Sequence, residues 1–559
     1  MSYHRRLALG LDFGTESVRA LLVDLEGNER GSAAVRYRRG QITQQLPGSA
    51  EPLPAQFALQ DPQDWLDASA RAVRRALEGA GLDSGGDVIS IGVDFTSCTM
   101  LPALSDGTPL CRTREWAGHK FAWPKLWKHH GAQRQTDRIN EVARRRREPW
   151  LARYGGTVGL EWFFPKILET LDEAPEVYQA TDVWLEGGDW FVWQLVGGPA
   201  EQLPRSTCQA GYKAMWNAHE GYPSADFFAA VDRRLRHVVR DKMPGRLLAP
   251  GQMAGELSSA AARRMGLPAG IAVSAAVIDA HAGVPGAGVA EPDTLVMVLG
   301  TSSCHMLNSR TEQLVPGVAG VVEGGILPGF FGYETGQAAV GDAFDWLRRL
   351  VGRRDFATLD REAAALPPGA DGVRAVDWLN GCRTPLMNGD LAGAFSGLKL
   401  HHTAAHLYRA LVEASACGVR WIVELLEEGG VPVRRLVATG GLPHHNPVLM
   451  QIYADVLARS VLVPPSEQGP ALGAAILGVM AAGRKSSGFS SARAAIRAMA
   501  QPAAGAASRA SAAGLASASG LASAEGREPR IVRPERRSVA RYDEVYRDYR
   551  ALAGWLSDS

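Results

Sequence analysis

The feature that most constrains the fold is a pattern used twice. Near the start, Leu7, Leu9 and Leu11 alternate into the turn Asp12-Phe13-Gly14-Thr15-Glu16-Ser17, and an apolar run comes next from Val18 to Val23. Far downstream, Thr294 to Leu299 runs into Gly300-Thr301-Ser302-Ser303, and a second run comes next from Cys304 to Leu307. Period-two alternation marks strands, and small polar residues between two such runs mark a tight turn. Each half of the chain therefore opens on strand, turn, strand.

The elements after each opening are also similar. In the first half, Ala33 to Tyr37 reads as a third strand and Asp61 to Leu77 as a helix with Leu66, Ala70, Val73 and Leu77 on one face. Val88 to Val93 is a near-continuous apolar run, the mark of a buried central strand. In the second half, a third segment lies at Phe330 to Tyr333, and helices are expected at Ala339 to Leu350 and His406 to Leu426. Leu436 to Ala438 then reads as a strand, Pro447 to Leu457 as a helix, Val461 to Val463 as a strand and Ala471 to Ala482 as a helix. The shared order suggests an internal duplication in an α/β chain. With 559 residues, the chain is too long for one ordinary core, which agrees with two domains.

Composition removes several classes. A formal net charge of +1 gives no bulk field for nucleic acid or a membrane surface. The run Arg144-Arg145-Arg146-Arg147 reads as a solvated helix face. The 6 cysteines form no CxxC pair, so zinc and redox motifs are absent and a reducing cytoplasm is expected. The first residues hold no long apolar core of a signal peptide, and the apolar helix near Ala471 falls short of a membrane span. The Ala/Gly/Ser-rich stretch 503–527 reads as a flexible insert, and the charged, aromatic segment after it as a terminal helix docking back on the body.

Four constellations carry chemistry. The first is the turn after Leu11. Backbone N–H groups beside Gly14 can approach phosphate closely, Thr15 and Ser17 can donate hydroxyl hydrogen bonds, and Asp12 at a strand end can hold Mg²⁺ directly or through water. An ordinary polar hairpin is the plain alternative. The second, at Gly300 and Thr301, offers the same groups in the other half, so two loops facing each other would clamp a polyphosphate. No GxxxxGK[ST] is present, so this is not a Walker loop. The third is Thr439-Gly440-Gly441 ahead of His444, His445 and Asn446, where backbone near a helix start suits a nucleotide. The histidine pair has no third ligand at useful spacing. The fourth is Ala276-Val277-Ile278-Asp279-Ala280-His281, an apolar strand delivering a carboxylate to a Gly-rich turn. Asp279 fits a base that takes a hydroxyl proton during attack on phosphorus, or else a helix cap. Lys213, Glu334 and the hydroxyl-rich end of the Asp94 to Thr99 segment are further hydrogen-bonding candidates.

Together these residues resemble the FGGY carbohydrate kinases of the actin-like ATPase superfamily. The resemblance rests on Gly10-Leu11-Asp12-Phe13-Gly14-Thr15-Glu16-Ser17-Val18-Arg19, Gly92-Val93-Asp94-Phe95-Thr96 and Trp127-Lys128-His129-His130-Gly131-Ala132-Gln133. It rests further on Glu161-Trp162-Phe163, Asp377-Trp378-Leu379-Asn380-Gly381 and Ala438-Thr439-Gly440-Gly441-Leu442-Pro443. It spans residues 7 to 483 and resumes near Tyr542. Within the family the match is close to the members that phosphorylate ribulose in L-arabinose breakdown.

The resemblance implies two ribonuclease-H-like (actin-like ATPase) domains with a catalytic cleft between them. Residues 1–286 would form the sugar side and 287–500 the nucleotide side, with 528–559 as a helical tail. It implies ATP and Mg²⁺, and transfer of the γ-phosphate to O5 of L-ribulose, with D-ribulose as a further acceptor. Asp279 would be the base and Asp12 the metal holder. Gly14, Thr15, Ser17, Gly300 and Thr301 would line the phosphates, and Gly440, Gly441 and Asn446 would lie near adenosine. Ser97, Lys213, Asp279 and Glu334 would contact the ketopentose. A cytoplasmic homodimer is implied as well. The rival expectations are a kinase of xylulose or ribitol, an actin-like ATPase switch and a silent sugar-binding regulator.

Overall fold

The computed structural model describes residues 6–352, 355–500 and 529–558. The insert expected at 503–527 lies outside them. Among the described residues, two seven-stranded sheets carry the architecture. In the first, Glu29–Arg36, Ser17–Asp24 and Leu7–Phe13 pair antiparallel, and Val88–Phe95 then joins Leu7–Phe13 in parallel. Ala272–Ser274 and Val277–Ile278 continue beside Val88–Phe95, also parallel. In the second, Phe331–Gln337, Ser303–Ser309 and Thr294–Leu299 pair antiparallel, and Arg435–Thr439 and Val461–Val463 continue in parallel. The same antiparallel-then-parallel order twice is the duplication that the sequence pattern suggested.

The helices obey local rules. Pro62–Gly79 starts where the Asp61 side chain accepts from Gln63 N, with Pro62 in its first turn where a missing N–H costs nothing. It buries Trp65, Ala72, Val73 and Ala76 against the first sheet. Ala404–Glu428 holds the matching place in the second half and buries Leu411, Val419 and Ile422 in the second core. The closing helix Arg536–Asp558 sinks Tyr542, Tyr546 and Tyr549 into that same core.

Two helices form the layer between the sheets. Asp279–Gly286 and Gly469–Ala481 pack on each other, and their apolar faces share a third core with Ala8, Leu21, Val296, Met306 and Val437 from both sheets. Gly469–Ala481, late in the chain, lies on the first strands of the chain. A Cβ on Gly92 would sit 1.6 Å from Ala474 O, so only glycine lets strand and helix backbones approach this closely. Among the described residues, no helix is long and apolar enough to cross a membrane.

Candidate active site

Both strand–turn–strand units place their turns at one mouth. The Gly14 N–H donates to Ser17 O at 3.0 Å, and in the second unit the Gly300 N–H donates to Ser302 O at 3.0 Å. The first turn is braced from behind. Tyr37 Oη donates to Gly14 O at 3.1 Å, Gln60 donates to Thr15 O at 2.8 Å, and Trp127 Nε1 donates to Thr15 Oγ1 at 3.0 Å. With that bond accepted, the Thr15 hydroxyl proton remains available to a ligand.

A cavity of about 760 Å³ lies between the turns, a size that takes a small ligand. Asp12, Gly14, Thr15, Ser97, Lys213 and Asp279 line it from the first half, and Gly300, Thr301, Glu334 and Arg383 from the second. Nine of the sequence-predicted residues are thus brought together: Asp12, Gly14, Thr15, Ser97, Lys213, Asp279, Gly300, Thr301 and Glu334. Ser17, Gly440, Gly441 and Asn446 do not line it. Ser17 closes the first turn through its carbonyl. Gly440 comes directly after the strand Arg435–Thr439 with φ +97°, packed so that a Cβ would sit 2.5 Å from Leu299 O. The Asn446 side chain is already committed: its oxygen caps the next helix at Leu449 N (2.8 Å), and its amide donates to Asp360 (2.8 Å).

The floor of the cavity is acidic. Asp12 and Asp94 are direct partners in the parallel pair Leu7–Phe13 and Val88–Phe95, so both side chains leave the same face. Asp279 opens the helix just past Val277–Ile278. Asp94 is fully buried and neither of its carboxylate oxygens has a hydrogen-bond donor among the described residues. Burial, then the charges of Asp12 and Asp279, push Asp94 well above the usual carboxylate range. Burial also raises Asp12, against the opposing charge of Arg19 at 3.2 Å. Asp279 is pushed up to about 7 by burial and by Asp12, while a hydrogen bond from Ala280 N and the charge of Lys213 pull the other way. Three carboxylates held this close, one of them without a donor, form a set of hard oxygen ligands that fits Mg²⁺.

Above the floor, Lys213 Nζ donates to Glu334 Oε1 at 2.5 Å. The pair is buried and spans the cleft, since Lys213 ends the helix Thr207–Lys213 and Glu334 lies on Phe331–Gln337. Burial opposes the charge on each, yet the pairing wins: Lys213 is raised and Glu334 lowered. His281 Nε2 sits 3.5 Å from Glu334 Oε2, and burial drops the imidazole to about 3, so it is neutral.

Some lining residues escaped sequence reasoning. Arg383 reaches Cys304 Sγ at 3.7 Å and lies just past the Asp377 to Gly381 segment. Glu161 is held at about 2, where His130, Arg383 and Lys166 outweigh the effect of burial. Arg383 sits in no local pattern that marks a site, and Glu161 was legible only as part of the Glu161-Trp162-Phe163 segment of the family resemblance. Arg144 to Arg147 are all exposed, as a solvated face would be, and Arg144 also borders the cavity.

Comparison with known proteins agrees with this geometry. Residues 7–286 match the N-terminal domain of the FGGY family of carbohydrate kinases, and residues 295–482 match its C-terminal domain. A ribulokinase of Geobacillus thermodenitrificans is 44% identical over 499 residues, covering 87% of this chain and 88% of the relative. A ribulokinase of Mycolicibacterium smegmatis is 45% identical over 492 residues, 86% of each chain. Among solved structures, a xylulose kinase from Rhodospirillum rubrum superposes with a TM-score of 0.75 at 24% identity, covering 99% of both chains. The Plasmodium falciparum glycerol kinase bound to ADP gives 0.71 at 16% identity, covering 88% of this chain and 92% of that one. Both structures share the fold. The chain belongs to the FGGY family of carbohydrate kinases and is an ATP-dependent sugar kinase.

Proposed function

We propose that this kinase phosphorylates L-ribulose, and D-ribulose as a second acceptor, at O5. The observation that carries the reading is the buried Lys213–Glu334 pair placed above Asp279 in a cleft lined by two phosphate-type turns. The full-length likeness to ribulokinases supports the choice of sugar.

In this reading the sugar lies against Lys213, Glu334 and the backbone at Ser97, with its terminal hydroxyl at Asp279. The Asp279 carboxylate takes the O5 proton as O5 bonds to the γ-phosphorus and the bond to the ADP oxygen breaks. A carboxylate drawn up to about 7 is a stronger base than an ordinary aspartate while still ionised near neutral pH. Gly14, Thr15, Gly300 and Thr301 bind the phosphates, Ser17 closes the turn that presents Gly14 and Thr15 and reaches a phosphate only from outside the cavity lining, and Gly440 and Gly441 pass close to the nucleoside. Asn446 reaches it only by giving up a present hydrogen bond. Asp12, backed by Asp94, would hold Mg²⁺, which when bound would supply charge neutralisation at the transferring phosphoryl group. Six free cysteines fit a cytoplasmic enzyme, and the family resemblance supports a homodimer.

The test is ADP release over L-ribulose, D-ribulose, xylulose, ribitol and glycerol. The reading expects kcat/KM for L-ribulose to lead the panel, with the product bearing phosphate on C5. A lead of xylulose or ribitol by tenfold removes the substrate assignment, and ADP release indifferent to every sugar removes the kinase mechanism.

A further inference from the structure

A second cavity, of about 510 Å³, lies at the far end of the second sheet from the cleft. The strand Thr294–Leu299 runs between them: Thr294 lines this cavity, and Gly300, just past Leu299, lines the cleft. At ~3.3 Å per residue the two lie about 20 Å apart.

The walls are Ala287, Val289, Ala290, Leu436, Leu462 and Ile531, and the rim carries Arg434, Arg435, Arg459 and Arg497. Their charges are incompletely matched. Arg434 pairs with Asp293 at 3.2 Å, and Arg459 with Glu427 at 2.9 Å. Arg497 shares Glu291 with Arg493. Arg435 has no carboxylate partner among the described residues, so the rim keeps a positive excess. Inside, Thr294 is 3% exposed and its hydroxyl has no hydrogen-bond partner among the described residues. A buried, unmatched hydroxyl beside unmatched arginine charge is a site waiting for an acceptor.

We infer that this cavity is a second ligand site, taking a small phosphate monoester. The phosphate would meet Arg435 and the Thr294 hydroxyl, and the carbon body would lie on the alanine and valine wall. The site would also report to the cleft. Residues 287–291 come directly after the helix Asp279–Gly286, and that helix begins with Asp279. Both the helix and the strand thus connect cavity to cleft, so occupancy would bias how the two halves close.

The experiment is calorimetric titration of ribose 5-phosphate into the full chain with the cleft filled by MgADP, with inorganic phosphate and unphosphorylated ribose as separate arms. Ribose 5-phosphate should bind once per chain, at least about tenfold tighter than inorganic phosphate, with no heat from ribose. Arg435→Ser, and separately Thr294→Val, should weaken it at least about fivefold while leaving kcat without effector unchanged. Saturating ribose 5-phosphate should shift KM for MgATP or sugar at least about twofold in the unmodified enzyme and not in Arg435→Ser. Absence of saturable heat, equal binding of inorganic phosphate, undiminished binding in both variants, or a KM effect that survives in Arg435→Ser each overturns the inference.

Discussion

Asp279 stands in three relations at once: it begins a helix, it faces two other carboxylates, and it lies under the Lys213–Glu334 pair. The first was open in the sequence as a cap, but the cap position is Ile278 and has no side-chain cap bond, while Asp279 Oδ1 accepts only from the adjacent Ala280 N at 2.7 Å. The second was not legible, because Asp94 becomes its neighbour only when two strands far apart in sequence pair in register. The carboxyl is raised from its ordinary 3.8 to about 7 in the folded enzyme. A raised carboxylate binds protons better folded than unfolded, so its ionisation erodes stability as pH rises from about 4 to 7. Asn at this position escapes that loss. Asp279→Asn should therefore raise Tm more at pH 8 than at pH 5, by thermal unfolding of the ligand-free enzyme. An equal Tm change at both pH values would show that the carboxyl is not strained by its neighbours. Asn446 shows the opposite limit: a polar residue ahead of a helix is as well explained by capping as by a ligand, and here its bonds are those of a cap.

At the scale of elements, strands and helices were largely legible, because the apolar periods are strong. Thr294–Leu299, Pro447–Leu457 and Val461–Val463 lie where the pattern sets them. The pattern does not say where Gly469–Ala481 goes. It is apolar on nearly every side, which announces burial without naming the partner; Gly92 and Gly10 name it only once the fold is in hand. Lys166 was likewise invisible, sitting in the apolar helix Phe163–Glu173. It is fully buried and donates to Cys98 O at 2.7 Å and Leu126 O at 2.9 Å. These carbonyls belong to the segments that carry Ser97 and Trp127, and Cys98 holds a left-handed φ of 56°. Lys166→Met leaves the Cys98 carbonyl unmatched, at about 1–3 kcal/mol for a buried orphan, while Leu126 O keeps the N–H of His129 at 2.9 Å. Initial rates should show KM for the sugar rising roughly tenfold with a smaller change in KM for ATP. Equal changes in both would make Lys166 a general stabiliser and not a support of the sugar side.

For the whole molecule, the Lys213–Glu334 pair ties the two halves across the cleft. Removing one member of a buried pair costs about 3–5 kcal/mol, because the other charge is left alone, whereas replacing both by apolar groups of similar size is much milder. Glu334→Ala should therefore lower Tm sharply, and Lys213→Met/Glu334→Leu should recover most of that loss. Sugar-dependent turnover should be absent from both. A double variant as unstable as the single one would mean that the pair is held by more than its own charges. The two-domain architecture was legible from the repeated strand–turn–strand units. The meeting of Lys213 and Glu334, 121 residues apart, was legible only through family resemblance.

The central claim is that Asp279 removes a proton from a sugar hydroxyl held in this cleft. The direct measurement is turnover and sugar affinity of Asp279→Asn beside the unmodified enzyme, by coupled ADP release with L-ribulose and by equilibrium binding of the same sugar. Affinity should stay within about threefold, and kcat should fall by a factor on the order of 10²–10⁴. A variant that binds L-ribulose normally and turns it over at near the original rate would contradict the claim.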